Sequence, residues 1–333
     1  MRHLSGWIAW LPLIAFAQAP QLPQLTQLPQ GGWKPSRPVE FVVSAAPGGA
    51  NDRLARAIQR IVQEGQLAPV SLNVISKPGG GGSIAIAYLN THAGDAHTIT
   101  LASSAWMSTV AGGRGTLTHR DVTPIVKLLD EPIVYFVNAG STLKSARDLS
   151  EHLKKNPASL AFGLSVAAGN PLHLSLVNIA RQAGADPSQL KIVVFNSGSE
   201  TAAQVTGGHV DVGVSSPGSA LPLTQSGKLR LLAVASAQRL EAPLSNLPTL
   251  REQGIDVVAT AFYVMLAPKG AAPAQIAFWE EVFAKVVGSA AFRKDLAANY
   301  WSADFMGQHD AAQFMEQRYQ SFRRALLEIG MAK

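Results

Sequence analysis

A short apolar strand, a glycine-containing turn and an amphipathic helix follow one another repeatedly along this 333-residue chain. The first unit has a strand over 38–43, a turn over 47–49 and apolar residues at helical spacing from Leu54 to Val62. The same order returns with strands at 71–76 and 98–102. Three strand–helix units in succession predict an α/β fold in which helices flank a sheet of parallel strands.

The rhythm starts again after Leu143. The later predicted strands cover 160–164, 191–195, 210–214 and 257–267, and the later helices cover 171–182, 200–206, 273–287, 292–300 and 311–329. We expect mixed, mostly parallel sheets in two domains. Domain 1 is discontinuous, at 37–138 plus 262–333, and domain 2 covers 139–261. Two crossing segments would then form a hinge suited to closing around a ligand.

The first residues predict export. Trp7 to Phe16 form an apolar run of about ten residues, shorter than the roughly twenty that span a bilayer. Ala17-Gln18-Ala19 supplies the small residues that a signal peptidase recognises, so we expect a signal peptide over 1–19 and a periplasmic protein. The alternative for the apolar run is a buried amphipathic helix, which Pro12 disfavours. Residues 20–36 are expected to form a linker.

Composition excludes several classes of function. The chain has no cysteine, which removes disulfides, thiolate zinc sites and cysteine nucleophiles. Its net charge of +6 is spread without a basic run, so no nucleic-acid partner is expected. Eight histidines form no H-E-x-x-H motif or carboxylate cluster. We therefore expect no metal and no cofactor.

The candidate ligand-binding residues follow the predicted strands. In open parallel sheets, ligands bind at the carboxyl ends of strands, where the first amides of the next helix lack partners and attract anions. The residues at these positions are Pro47, Gly48, Gly49, Asn51, Asp52, Ser103, Ser104, Ser165, Ala168, Gly169, Asn170, His173, Asn196 and Ser197. Together they predict a polar, uncharged cleft. Arg53 and Arg56 are expected to be solvated, because cations near a helix N-terminus oppose the helix dipole.

Two enzymatic interpretations find less support. A hydrolase would use Ser165, His173 and Asp211, but the segment around Ser165 lacks the second glycine of the G-x-S-x-G elbow. The run Gly79–Gly82 is part of a degenerate dinucleotide pattern with no acidic residue at the expected distance. We predict that the chain is not an enzyme. Whether the glycine run touches a ligand stays open.

Four segments follow one another along the chain: 43–56 (VSAAPGGANDRLAR), 76–84 (SKPGGGGSI), 163–174 (GLSVAAGNPLHL) and 207–211 (GGHVD). In this order they resemble the Bug family of periplasmic solute receptors, the binding components of tripartite tricarboxylate transporters. The resemblance implies a two-lobed Venus-flytrap fold that holds a small carboxylate or related polar metabolite. Residues 47–52 would meet one ligand carboxyl. The resemblance also implies that membrane permease subunits are partners of this protein. We expect the protein to be a monomer. A receptor that feeds a two-component sensor is the alternative.

The sequence departs from the family pattern at two cleft loops. Ala45-Ala46-Pro47 stands where members commonly carry a Phe-Pro-Pro run, and 195–200 (FNSGSE) lacks the usual basic residue and proline. Glu200 either caps its helix or disfavours a second carboxylate in the cleft. Ligand identity stays open among dicarboxylates, amino acids, aromatic acids and amides.

Overall fold

A computed structural model describes residues 32–45 and 47–332 of the chain. The strands in this part are β1 (Val39–Val43), β2 (Leu72–Ser76), β3 (Thr98–Ser103), β4 (Val122–Pro132), β5 (Val134–Asn138), β6 (Ala161–Ser165), β7 (Lys191–Phe195), β8 (Val212–Ser215), β9 (Leu229–Val234), β10 (Thr260–Pro268) and β11 (Ser302–Met306). The helices are α1 (Ala50–Glu64), α2 (Ser83–Asn90), α3 (Ser104–Ala111), α4 (Ala146–Lys155), α5 (Pro171–Gln182), α6 (Gly198–Thr206), α7 (Pro217–Gln225), α8 (Pro273–Gly288), α9 (Ala290–Asn299) and α10 (Gln308–Glu328). Over these residues, none of the helices has the length and apolar run that a membrane crossing needs.

Two sheets organise the molecule into two lobes. The first lobe has a six-stranded sheet in the order β11-β4-β10-β3-β1-β2, and the second has a five-stranded sheet in the order β7-β6-β8-β5-β9. Helices α1 to α3 and α8 to α10 pack on the first sheet, and α4 to α7 pack on the second. The two-lobed α/β architecture predicted from the sequence is confirmed.

The strand pairings correct the expectation that the sheets are mostly parallel. The pairs β1–β2, β1–β3, β6–β7 and β6–β8 are parallel, but β3–β10, β4–β10, β4–β11, β5–β8 and β5–β9 are antiparallel. The reason lies in the chain crossings. Strands β3, β6 and β8 run toward the junction of the lobes, whereas β5 and β10 start there after the chain has crossed. A strand that leaves the junction must pair antiparallel with one that approaches it.

The positions of the chain crossings bear on the predicted boundaries between domains 1 and 2. The division into two domains itself stays a prediction. β5 belongs to the second sheet, so the first crossing lies at Ile133 and not after Asn138. The predicted signal peptide and most of the linker lie outside the described residues. Trp33, assigned to the linker, packs its ring edge-on against Phe278 at a centroid distance of 5.6 Å. Ordered packing therefore begins before Arg37.

A buried histidine fixes the loop between β6 and α5. The Asn170 side chain donates from Nδ2 to the Ser165 carbonyl at 2.8 Å and accepts the His173 amide at 3.1 Å. The Gly169 amide donates to His173 Nδ1 at 3.0 Å. Burial lowers the pKa of His173 to about 4. The imidazole is therefore neutral at pH 7, with Nδ1 free of a proton and able to accept.

Gly213 lies in β8 with its Cα hydrogens directly against an aromatic ring. A Cβ placed there would be 2.1 Å from Cε2 and 2.4 Å from Cζ of Phe136, which is fully buried. We expect Gly213→Ala to lower the free energy of unfolding by about 1–3 kcal/mol, the usual cost of overpacking a core. Chemical denaturation measures this. The control is Gly288→Ala, at the end of α8, where a Cβ meets nothing within 4 Å. Equal stability of the two variants would contradict this account of the second lobe.

His173 makes stability depend on pH. Its ordinary pKa of 6.5 falls to about 4 on folding, so the unfolded chain binds the proton first as the pH is lowered. The free energy of unfolding should therefore decrease between pH 6.5 and pH 4, by up to about 3 kcal/mol from this residue. His173→Asn keeps an acceptor near the Nδ1 position and cannot titrate. Denaturation curves across this range should show a smaller pH slope for the variant, and identical slopes would refute the role.

Candidate functional site

One cleft lies between the lobes, where β3, β4, β6 and β8 end. Among the described residues it is lined by Ala45, Gly49, Ala50, Asn51, Arg53, Ser103, Ser104, Ala105, Glu131, Pro132, Ile133, Ser165, Val166, Asn170, Pro171, Leu172, Asn196, Ser197, Gly198, Ser199, Ser215, Ser216, Ser219, Ala261 and Tyr263. The space open to the centres of water molecules is about 70 Å³. Since one water needs about 10–15 Å³ of such space, the cleft suits a small molecule.

Helices α1, α3, α5, α6 and α7 all begin in this cleft. The first amides of a helix have no partner within it. At α1, α3 and α7, the residues before the helix, Gly49, Ser103 and Ser216, make no side-chain hydrogen bond to those amides. Pro171 and Pro217 each remove one amide. The remaining donors and the helix dipoles favour negative charge at the centre of the cleft.

Serine hydroxyls from the second lobe add donors to these amides. They belong to Ser165, Ser197, Ser199, Ser215, Ser216 and Ser219. Gly198 permits their close approach, because a Cβ there would be 2.1 Å from Ser215 Oγ and 2.5 Å from Ser219 Oγ. The sequence analysis did not name Ser215, Ser216 or Ser219. The rule that found the other strand ends, applied to the end of β8, would have identified them.

Asp52 organises the loop between β1 and α1. Its carboxylate accepts the Gly48 amide at 2.9 Å and Arg56 Nε at 3.0 Å. Burial raises the pKa of Asp52, but the hydrogen bonds from Arg56 and Gly48 outweigh it and hold the pKa below the ordinary value. The carboxylate thus stays ionised and fixes the turn that carries Gly49 into the cleft.

Arg53 corrects the expectation of a solvated side chain. Its Nη1 donates to the Gly48 carbonyl at 3.0 Å, and its Nε donates to Asn299 Oδ1 at 3.3 Å. Nη2 is buried without a hydrogen-bond partner among the described residues, and Arg53 lines the cleft. The helix-dipole rule fails here because Gly48 and Asn299 hold the guanidinium in place.

A buried carboxylate lies at the end of β4. Glu131 accepts from Tyr263 Oη at 2.8 Å and from Trp301 Nε1 at 3.1 Å. Burial, reinforced by the nearby Glu131 charge, raises the pKa of Tyr263 well above its ordinary value, so the phenol remains a donor. The sequence analysis missed Glu131 because it did not predict β4, and it placed Tyr263 in the strand at 257–267 without a role in the site.

The loop after β6 is strained where it faces the cleft. Val166 is β-branched and has a φ of +73°, a conformation that such residues rarely adopt. Its amide donates to the Phe195 carbonyl at 2.8 Å, and Arg114 Nη2 of the first lobe donates to the Ala168 carbonyl at 3.0 Å. These bonds hold the strained loop in place and connect the two lobes.

The structure brings many of the predicted site residues together in the cleft. Those that line it are Gly49, Asn51, Ser103, Ser104, Ser165, Asn170, Asn196 and Ser197. Those that do not line it are Pro47, Gly48, Asp52, Ala168, Gly169 and His173. Within this second set, Asp52 and His173 support the loops that carry the first. Ligand contact by either set stays a prediction.

The glycine run over 79–82 does not line the cleft. All four glycines have positive φ, from +58° to +117°. A Cβ on Gly81 would be 2.3 Å from Thr109 Oγ1, and one on Gly82 would be 3.0 Å from Trp106 Cβ. The run therefore serves close packing against α3.

The residues of the hydrolase interpretation do not form a catalytic group. Ser165 ends β6, whereas the Asp211 carboxylate accepts the amide of Ala161, which begins the same strand. At about 3.3 Å per residue, the two ends are about 13 Å apart. Nδ1 of His173 already accepts the Gly169 amide. Within 32–45 and 47–332, there is no group of three or more His, Asp or Glu side chains placed to hold a metal.

Two curated relatives cover most of the chain. A UPF0065 protein from the gbd 5' region of Cupriavidus necator is 27% identical over 300 residues, 90% of this chain and 89% of its own length. Protein BugT of Bordetella pertussis is 28% identical over 246 residues, 72% of this chain and 73% of its own length. A solved structure from R. palustris with adipate superposes with a TM-score of 0.80 at 24% identity, over 90% of this chain and 99% of the other.

The family match extends over both lobes. Residues 54–331 match the family described as Tripartite tricarboxylate transporter family receptor, which includes all the described strands except β1 and all the helices except the first turn of α1. The solved structure agrees with this in fold, and the relatives agree in sequence over most of the chain. This chain belongs to the tripartite tricarboxylate transporter receptor family.

Proposed function

We propose that this chain is a periplasmic receptor that captures a small organic acid between its lobes and delivers it to the permease subunits of a tripartite transporter. The observation that carries the proposal is the convergence of five helix N-termini, from both lobes, on one cleft rich in hydroxyls. Receptors of this family are periplasmic and work with such permeases. The chain itself binds its ligand without converting it, through the cleft residues and without a metal or cofactor.

The hydrogen-bond donors of the cleft supply enough free energy for the role. About four charge-assisted hydrogen bonds to a carboxylate contribute about 1.5 kcal/mol each, or about 6 kcal/mol before the entropy of ordering. Burial of the apolar part of the ligand adds to this sum. Micromolar binding needs about 8 kcal/mol net. Adipate, named for a protein of the same fold, is a small acid of the class proposed here.

Contacts between the lobes support a mechanism in which closure signals the bound state. Arg114 of the first lobe donates to the Ala168 carbonyl of the second, and Arg181 pairs with Glu328 at 3.0 Å. An acid that touches both lobes favours the arrangement in which these bonds are made. The permease would then recognise the surface that the closed lobes share.

Replacing Asn51 with aspartate tests whether the cleft takes an anion. Asn51 lines the cleft in the first turn of α1 and is hydrogen-bonded to Ser44. Asn51→Asp keeps the shape and adds one negative charge, which a helix N-terminus tolerates. Repulsion in the half-buried cleft should weaken binding of an organic acid by about tenfold or more. Calorimetry of the wild type with a broad panel of organic acids identifies the acid to use.

Asn178→Asp is the matched control. It makes the same change of charge on the exposed face of α5, outside the cleft, and should leave the affinity within about twofold. Wild-type protein that gives no heat with any acid of the panel, but binds a cation or a sugar, would overturn the proposed function. An acid that binds the wild type and Asn51→Asp equally well would place the anion elsewhere.

A further inference from the structure

Two charged side chains face an otherwise neutral cleft. Among the described residues that line it, Arg53 is the one cation and Glu131 is the one carboxylate. Both lie in the first lobe, and the ion pairs of the described residues include none between them. Each is held instead by neutral groups. The two charges are therefore available to different parts of a ligand.

Arg53 has one nitrogen left for a ligand. Nε and Nη1 are occupied by Asn299 and Gly48, while Nη2 is buried without a partner. A buried donor without a partner is unfavourable, and a cation in the first turn of α1 opposes the helix dipole. A bound anion would satisfy the buried donor and offset the unfavourable interaction with the dipole. Arg53 is thus poised for a negatively charged group.

The second lobe meets Arg53 at the start of α7. A Cβ on Gly218 would be 3.6 Å from Arg53 Nη2. Ser216 and Ser219 of the same turn line the cleft. An anion at Nη2 therefore lies within reach of donors from the other lobe.

Glu131 is the second charged residue that lines the site. Tyr263 and Trp301 each donate one hydrogen bond to it, and an ionised carboxylate can accept about four. The remaining lone pairs favour a hydrogen-bond donor on the ligand. A second carboxylate there would face a like charge in a buried setting, which is strongly unfavourable. Glu200, considered for this role from the sequence, lies outside the cleft lining and accepts from the Asn196 amide at 3.0 Å.

We propose that Arg53 and Glu131 select the ligand class: an acid with one carboxylate, bound at Arg53 Nη2, and a hydroxyl or ammonium group at its other end, bound at Glu131. This inference rests on the proposed function and narrows it. Acids with two carboxylates, one at each end, are disfavoured.

Matched probes of equal length test the inference. Succinate, 4-hydroxybutyrate and 4-aminobutyrate share one carboxylate and four carbons and differ only in the second terminal group. The corresponding sets with three and six carbons cover shorter and longer ligands. Calorimetry of the wild type should give tighter binding, by about tenfold or more, for the hydroxyl or ammonium member than for the dicarboxylate of the best-fitting length. A dicarboxylate that binds as tightly as the hydroxyl and ammonium probes of the same length overturns the role of Glu131. The role is also overturned if some other acid binds while none of the hydroxyl or ammonium probes does.

Single variants test the roles of Arg53 and Glu131 separately. Arg53→Gln should weaken the tightest-binding acid of any class by about 10- to 100-fold, the usual loss of a charge-assisted hydrogen bond. Arg60→Gln, on the same helix but paired with Asp295 away from the cleft, makes the same change of charge and should bind normally. Glu131→Gln should raise the affinity for the dicarboxylate relative to the ammonium probe. Thermal melting of each variant shows whether it is folded. If Glu131→Gln does not fold, the comparison of the matched probes on the wild type still tests the role of Glu131.

The outcomes distinguish this inference from the proposed function. Wild-type protein that binds no organic acid refutes the proposed function itself. An organic acid that binds the wild type and Arg53→Gln equally well leaves the receptor function intact and overturns the role of Arg53.

Discussion

The direction of the strands determines where this molecule can bind anything. Strands β3, β6 and β8 end at the junction of the lobes, and each is followed there by a helix. Because a helix exposes unpaired amides at its N-terminus, this chain direction collects partial positive charge in a single cleft. The antiparallel strands β5 and β10 start at the same junction and lie inside their sheets, so they add strands without adding further helix starts. The anion preference is thus a property of topology before it is one of side chains.

An anion site made of loops requires that the loops be rigid before the ligand arrives, since ordering them on binding would cost affinity. Several side chains that do not line the cleft do this. Asp52 fixes the first loop through the Gly48 amide, His173 fixes the loop after β6 through Gly169, and Glu200 fixes the loop after β7 through Asn196. These acceptors bind the backbone amides of Gly48, Gly169 and Asn196 and leave the first amides of α1, α3 and α7 for the ligand.

The sequence predicted the strand–helix units well because glycine, proline and capping residues mark their ends. The predicted spans at 191–195 and 171–182 coincide with β7 and α5. It did not predict β4, β5, β9 or β11. In β4, Lys127, Asp130 and Glu131 interrupt the apolar pattern of a buried strand. Burial of Lys127 depends on carboxylates from Asp130 and from the distant Asp304, which no local pattern reveals. The cleft residues at strand ends were predictable for the same reason, whereas Arg53 and Glu131 acquire their roles only from tertiary partners.

Charges of opposite sign in one cleft would normally neutralise each other, and their partners explain why these two do not. Asn299 and the Gly48 carbonyl hold the Arg53 guanidinium, and Tyr263 and Trp301 hold the Glu131 carboxylate. Each partner is neutral, so neither group is paired with a charge of opposite sign, and the hydrogen bonds hold each in place. A molecule with a negative end and a donor end can then pair with both at once. A molecule with two negative ends gains at Arg53 and loses at Glu131, so the opposite signs of the two groups would discriminate between the two kinds of acid.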